Sequence, residues 1–189
     1  VLQMRKNFGA KPITYPQPVF IIASYDKEGV PDAMNAAWGG ISEAKEVSIC
    51  IGENHKTRQN IMERKAFTVS MGDVAHVAAC DYIGITSAYQ VPDKFERAGF
   101  HAIKSELVDA PLIEELPIAL ECRLKSYDPD TRRIVGEIVN VSIDERVLEE
   151  DGRINIEKAA PITFDTENHV YLRIGEKVAD AFSVGKIFK

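Results

Sequence analysis

The sequence predicts a mainly β chain folded as an antiparallel barrel. Three observations carry that class. β-rich runs recur at short intervals, turn-forming residues separate them, and few segments keep helical periodicity for long. A βαβ sheet would need longer helices between its strands.

The elements follow in order. Val19 to Tyr25 is β-rich, and Asp26-Lys27-Glu28-Gly29 closes it as a turn. Asp32 to Trp38 returns from that turn as strand or loop, and Val47 to Ile51 alternates as a strand. Lys56 to Arg64 is a short helix with Asn54 as its cap. Phe67 to Met71 is a strand, and His76 to Ile85 reads as a helix entering a short extended piece. Val91 to Arg97 gives a turn and one helical turn, stopped near Gly99, and Ala102 to Val108 is a strand. Ile118 to Tyr127 and Ile134 to Ile143 are the longest β-like runs, joined by Asp128-Pro129-Asp130-Thr131 as a hairpin turn. Asp151 to Ala160 is a loop with a weak helix, and Tyr171 to Ile174 is a last strand. Nothing resembling a repeat or linker divides the chain, so one domain over 1–189 is expected.

Bulk numbers narrow the function classes. With 189 residues, 45% of them hydrophobic, the chain can bury one sizeable core. A net charge of -6 makes it a poor binder of nucleic acid or anionic membrane. No apolar run is long enough to cross a bilayer. Val1 to Ala10 has Arg5 and Lys6 without an apolar core after them, so no signal peptide is expected, and Met4 is a candidate natural start. Three widely spaced cysteines, Cys50, Cys80 and Cys122, argue against a disulfide framework and a zinc site, and a cytoplasmic location is expected. The four histidines lack metal-ligand spacing, and nucleotide-binding and hydrolase motifs are absent, so no metal and no side-chain catalyst is expected.

Two segments stand out. Met34-Asn35-Ala36-Ala37-Trp38-Gly39-Gly40 places the single tryptophan among small residues, which lets a backbone or a flat ring approach closely. Trp38 is either a core residue or a ligand contact. In Asn54-His55-Lys56-Thr57-Arg58, a helix start gathers free N–H groups and the positive dipole end beside a lysine and a threonine. It is either an ordinary solvated helix start or a phosphate grip, with the Thr57 hydroxyl donating and Lys56 or Arg58 supplying charge. A flat aromatic ligand with a phosphate tail, such as FMN, would suit both segments together.

These segments, with Phe8-Gly9-Ala10-Lys11-Pro12, Cys80-Asp81-Tyr82, Pro92-Asp93-Lys94-Phe95, Ser105 to Pro111 and Val135-Gly136-Glu137-Ile138, resemble the flavin reductase-like family of FMN-binding split barrels, and within it the flavoredoxin group. The resemblance covers nearly the whole chain. It implies a six-stranded antiparallel Greek-key split barrel with a few short helices, and a homodimer holding FMN non-covalently near the subunit interface. It implies that Asp32, Met34, Asn35, Ala36, Ala37 and Trp38 lie along the flavin ring. Cys50, Ile51 and Gly52 would meet the ring's edge, and His55, Lys56 and Thr57 would hold the ribityl-phosphate end. Lys94 would add charge there, and Phe164 would cover the ring. Many NAD(P)H-dependent members carry a Gly-Asp-His motif where this chain reads Gly136-Glu137-Ile138-Val139-Asn140-Val141, without a histidine. Asp32, if ionised, accepts hydrogen bonds only, so it could serve the flavin N3–H but no flavin carbonyl.

The leading expectation is an FMN redox protein passing electrons from a protein partner such as a ferredoxin or hydrogenase system. The alternatives are an NAD(P)H-dependent flavin or ferric reductase, and a barrel without cofactor acting in subunit assembly.

Overall fold

The structure is a computed structural model describing residues 4–189, and Val1 to Gln3 lie outside the described residues. Its strands are β1 (Phe20–Tyr25), β2 (Pro31–Ala36), β3 (Gly39–Glu43), β4 (Glu46–Cys50), β5 (Ala66–Met71), β6 (Ala102–Lys104), β7 (Pro111–Ile113), β8 (Ile118–Asp128), β9 (Arg133–Ile143), β10 (Ile162–Asp165) and β11 (Val170–Arg173). The helices are α1 (Lys56–Arg64), α2 (Val77–Ile85), α3 (Lys94–Arg97) and α4 (Ile156–Ala159).

Seven strands pair in the order β2-β1-β5-β8-β9-β4-β3, and β6-β7 and β10-β11 form separate hairpins. Every strand pairing among them is antiparallel. The two edge strands of the large sheet, β2 and β3, are neighbours in sequence, with only Ala37 and Trp38 between them. So short a link spans about 10 Å when extended. The sheet must therefore curl until its edges meet at that corner, which makes it a split barrel.

Alternate residues fill the inside. Ile22, Val47, Ile49, Phe67, Val69, Leu120, Cys122 and Ile134 form one buried cluster. The outer face of β1, through Ile21 and Ala23, is buried as well, against Cys80 and Ile83 of α2 and Phe95 of α3. Burial on both faces explains why β1 reads as a continuous apolar run instead of an alternating one.

The structure adds β3, β7 and β10 to the expected strands and gives the main sheet seven strands where six are expected. Gly-Gly-Ile-Ser-Glu has weak strand propensity. β3 forms through its partner, since a Cβ at Gly39 would come within 2.8 Å of the Ser48 carbonyl oxygen. The expected Ala102–Val108 strand stops at Lys104, because Ser105 turns the chain. Its hydroxyl accepts from the N–H groups of Leu107 and Val108, and it donates to Glu121. The cap of α1 is His55, not Asn54, and no side chain caps the helix.

Gly136 of β9 leaves room for a core ring, since a Cβ there would fall 2.4 Å from Phe67 Cζ. Phe67 is fully buried and cannot retreat. Gly136→Ala should therefore lower stability by about 1–3 kcal/mol through overpacking. Urea unfolding measures this, and an unchanged midpoint would contradict the packing described.

Candidate functional site

The corner where the barrel closes is also the floor of a cleft of about 520 Å³. On one side lie Met34 to Trp38, with Cys50, Gly52 and His55. Facing them are Asp81, Gly84 and Ile85 of α2 and Phe164, His169 and Tyr171 of the β10-β11 hairpin. Backbone carbonyls pin the corner: Gln17 Nε2 donates to the Ala37 carbonyl at 2.8 Å, and the Cys50 N–H donates to the Trp38 carbonyl at 2.8 Å. Among the described residues, the N–H groups of Ala37, Trp38 and Gly52 make no hydrogen bond. Trp38 itself is 48% exposed, so it is no core residue in this chain.

The opposite wall is held just as firmly. A Cβ at Gly84 would sit 2.9 Å from Asn35 Cβ, so glycine lets α2 lie close on β2. Asn35 Nδ2 donates to the Cys80 carbonyl at 3.0 Å. Phe164 and Tyr171 are opposite one another across the hairpin, with ring centroids 5.8 Å apart. The Tyr171 hydroxyl donates to Asp81 Oδ1 at 2.7 Å, which ties the hairpin to α2. Burial and this bond raise the Tyr171 pKa above the usual phenol value.

His55, Gly84 and Ile85 also line a second hollow of about 190 Å³, so the two spaces adjoin. The second hollow sits at the start of α1, between Asn54 to Thr57 and the segment Ile83 to Ala88, with Asp32 and Lys94 at its base. Lys94 is buried, and its Nζ donates to the carbonyls of Ile83 at 3.0 Å and Thr86 at 2.9 Å. Asp32 Oδ1 lies 3.6 Å from the same nitrogen. Burial lowers the Lys94 pKa, and the Asp32 carboxylate works against that shift. An ammonium has three donors; two go to these carbonyls, and among the described residues the third is not hydrogen-bonded, with Asp32 Oδ1 at 3.6 Å beside it. The N–H groups of Lys56 and Thr57 are likewise without partners among the described residues, as a helix start requires.

Several expectations need correction. Asp32 does not line the ring-sized cleft. It is buried below the smaller hollow, because Thr57 Oγ1 donates to its Oδ2 at 2.7 Å and Lys94 stands beside it. The Thr57 hydroxyl has given its one proton to Asp32 and cannot also donate to an anion, so only its N–H remains for that purpose. Lys56 turns to Asp26, 3.1 Å away, and Arg58 stacks 5.2 Å from the Tyr127 ring centroid. Lys56 and Lys94 both line the small hollow, and Lys56 is already paired with Asp26. Ile51 is 1% exposed, and its side chain belongs to the core. Met34, Asn35, Ala36, Ala37, Trp38, Cys50, Gly52, His55 and Phe164 all reach the cleft.

Asp81, Gly84, Ile85, His169 and Tyr171 were not anticipated. Tyr171 and Asp81 meet across 90 positions, a distance no local pattern reports. The Cys80-Asp81-Tyr82 segment offered the nearest signal. All three cysteines are free, and burial pushes the thiols of Cys80 and Cys122 up to about 12, so both stay protonated. On the surface, ligand atoms of His101, Glu114 and Glu115 gather within 4.8 Å, a grouping their sequence spacing does not announce. There His101 and Glu115 bond to each other. Among the described residues, no helix is long and apolar enough to cross a membrane.

A curled antiparallel sheet with a ring-sized cleft at its corner and an anion-sized hollow at a helix start defines a class, and the comparisons agree with it. Residues 13–169 match the model of the flavin reductase like domain, and the chain belongs to that family. Membership sets it among flavin-related redox proteins. Among solved structures it is similar to the flavoredoxin of Desulfovibrio vulgaris (Miyazaki F), with 37% identity, a TM-score of 0.92, and coverage of 96% of this chain and 100% of that one. Nitrilotriacetate monooxygenase component B from Bacillus cereus is 25% identical, with a TM-score of 0.75 and coverage of 95% and 98%. The flavoredoxin of Methanosarcina acetivorans shares the fold at 24% identity, with a TM-score of 0.86 and full coverage of both chains.

His55, at the junction of the two hollows, tests their electrostatics. Burial lowers its pKa below 6.5, and the Lys94 charge lowers it further while Asp32 opposes. Its imidazole is therefore neutral at pH 7. In Lys94→Met the repelling cation is gone and Asp32 remains, so the His55 pKa should rise. An NMR pH titration of the ring protons measures this, and an unmoved or lowered value would refute the arrangement. The same variant should lose about 3–5 kcal/mol of stability by leaving Asp32 buried without its cation. Denaturant titration reads that loss.

Proposed function

We propose that the chain is an FMN-binding redox protein of the flavoredoxin type, passing electrons through non-covalently held FMN. One observation carries the reading. A cleft with unpaired backbone donors adjoins a smaller hollow that combines a helix start with a buried lysine holding one donor in reserve. Flat ring and phosphate tail would divide between these two spaces. The 37% identity to a flavoredoxin supports the same assignment.

FMN, when bound, supplies the electron-transfer chemistry, and the protein's part is binding, orientation and electrostatics. Lys94 Nζ and the N–H groups of Lys56 and Thr57 would hold the phosphate. The N–H groups of Ala37, Trp38 and Gly52 would serve the polar edge of the ring. Phe164 and Trp38 would keep water from parts of it. Asp32 would act one layer below, holding Lys94 charged and Thr57 in place. A second copy of the chain completes this reading as a homodimer, in the cytoplasm, with a ferredoxin- or hydrogenase-type protein as electron donor.

Lys94→Ala should weaken FMN binding roughly ten- to a hundredfold, the scale of one charge-assisted contact. Riboflavin, which has no phosphate, should be affected much less. Titration with both flavins, followed by flavin fluorescence, measures the difference. Equal losses would remove Lys94 from the phosphate role, and a wild-type chain that takes up no FMN ends the proposal.

A second reading, an NAD(P)H-dependent reductase, has one observation in its favour. His169 lines the ring-sized cleft from the hairpin side, so the site has a histidine although β9 has none. Mixing the FMN-loaded protein anaerobically with NADH, NADPH or a reduced ferredoxin separates the readings. Rapid bleaching of flavin absorbance by a nicotinamide selects the reductase, and bleaching by the protein donor alone selects the carrier.

A further inference from the structure

Beyond β11 the chain leaves the body and does not return. Every residue of 172–189 is exposed. Ile174 makes the last tie, donating to the Pro161 carbonyl at 3.4 Å. Among the described residues, no hydrogen bond or ion pair joins 175–189 to the rest of the chain. The arm's own bonds, including the ion pair of Lys177 with Asp180, are internal. They hold a short 3-10 turn at Val184–Phe188.

The arm's composition does not suit water. Val178 is 98% exposed, Phe182 100% and Phe188 89%, with Val184 and Ile187 also open. Phe182 further has φ of 59°, a left-handed conformation that bulky residues avoid. Such strain persists where surroundings over-determine it, and this chain supplies no surroundings there.

We propose that residues 175–189 are an exchanged arm that docks on a second copy of this chain, with Phe182 and Phe188 as its anchors. The size of the patch suits a symmetric pair of copies. Two buried phenylalanines remove about 300–500 Å² from water, and Val178, Val184 and Ile187 bring one arm to the order of 500–800 Å². A standard interface of ~1,600 Å² takes about 800 Å² from each partner, and in a two-fold pair each copy gives both an arm and the surface that receives the other's arm, which reaches that figure. Charge agrees: three lysines against two acids make the arm +1, leaving -7 on the rest of the chain.

The receiving surface is the apolar hollow of about 300 Å³ at the arm's own root, lined by Val19, Phe20, Met71, Pro161, Ile162 and Ile174. In a two-fold pair, each arm leaves beside the hollow that takes the other. The inference deepens the homodimer of the proposed function by naming the segment that builds it. It does not depend on flavin, so its failure and the failure of the FMN reading are separate results.

The test begins with sedimentation equilibrium on the full chain, the chain ended at residue 174, and Phe182→Asp. The full chain should behave as twice 21.0 kDa at micromolar concentration. Both variants should raise the dimer dissociation constant at least a hundredfold while keeping the β-sheet circular dichroism. A monomeric full chain, or folded variants with unchanged association, overturns the proposal. A photoreactive p-benzoylphenylalanine placed at position 182 of the full chain gives an answer that does not need the truncation to fold. In mixed ¹⁴N and ¹⁵N protein it should give cross-links between isotopically different copies, at the residues of that hollow. Cross-links only within one chain, or elsewhere on the second copy, overturn it.

Discussion

The structure depends on the shortness of one link. Ala37 and Trp38 alone join the two edge strands of a seven-stranded sheet. A flat sheet of that order would hold its edges six strand spacings apart, about 28 Å at 4.7 Å each. Two residues cannot cross that gap, so curling is forced by covalent length as well as by the natural strand twist. The same constraint makes the site. Where the edges meet there is no continuing ladder, and the N–H groups of Ala37 and Trp38 are left without strand partners. The gap in the hydrogen-bonding pattern and the cleft are one feature.

The second determinant is buried charge. Asp32 joins two elements distant in sequence, accepting from Thr57 at the start of α1 and standing beside Lys94 at the start of α3. An unpaired buried carboxylate or ammonium would be expensive, and breaking such a pair costs more than the pair contributes. The arrangement therefore fixes where α1 begins relative to α3, and so the width of the small hollow. It also keeps the hollow from carrying a large bare positive charge when nothing is bound. On the proposed reading, a phosphate there would meet one ammonium donor and two helix N–H groups, with a carboxylate set behind them.

Much of this was legible in the sequence. β1 could be read because burial on both faces gives an unbroken apolar run, and β8 and β9 because they are long and joined by Asp128-Pro129-Asp130-Thr131. β3 could not, because its glycines are selected by close approach to Ser48, a tertiary fact with no local signature. In the site, the small-residue corner and the α1 start were visible as patterns. The side chains of Asp32, Thr57 and Lys56 sit differently from expectation for one reason: each is committed to a partner from another element, and that partner decides what it can still donate. Tyr171 and Asp81 escaped notice because they gain meaning only where the hairpin meets α2.

The two walls of the cleft differ in how they are held, and that bears on what the site can tolerate. The barrel side is fixed by ladder bonds and by the pinned carbonyls of Ala37 and Trp38. The hairpin side rests on side chains, with Tyr171 on Asp81 and Tyr15 donating to Asp165 at 2.6 Å. Asp165 in turn accepts from the Glu167 and Asn168 N–H groups and shapes the turn that carries His169. Those bonds, Asn168 foremost, hold the Asp165 pKa down to about 2. Their contribution is complete above the unfolded value near pH 3.8 and is lost as the pH falls towards 2. Acid should therefore loosen the His169 wall first and leave the barrel wall in place. A barrel fixed by covalent length and a wall fixed by a few polar contacts give a site whose floor is set by the fold and whose far side is set by side-chain contacts.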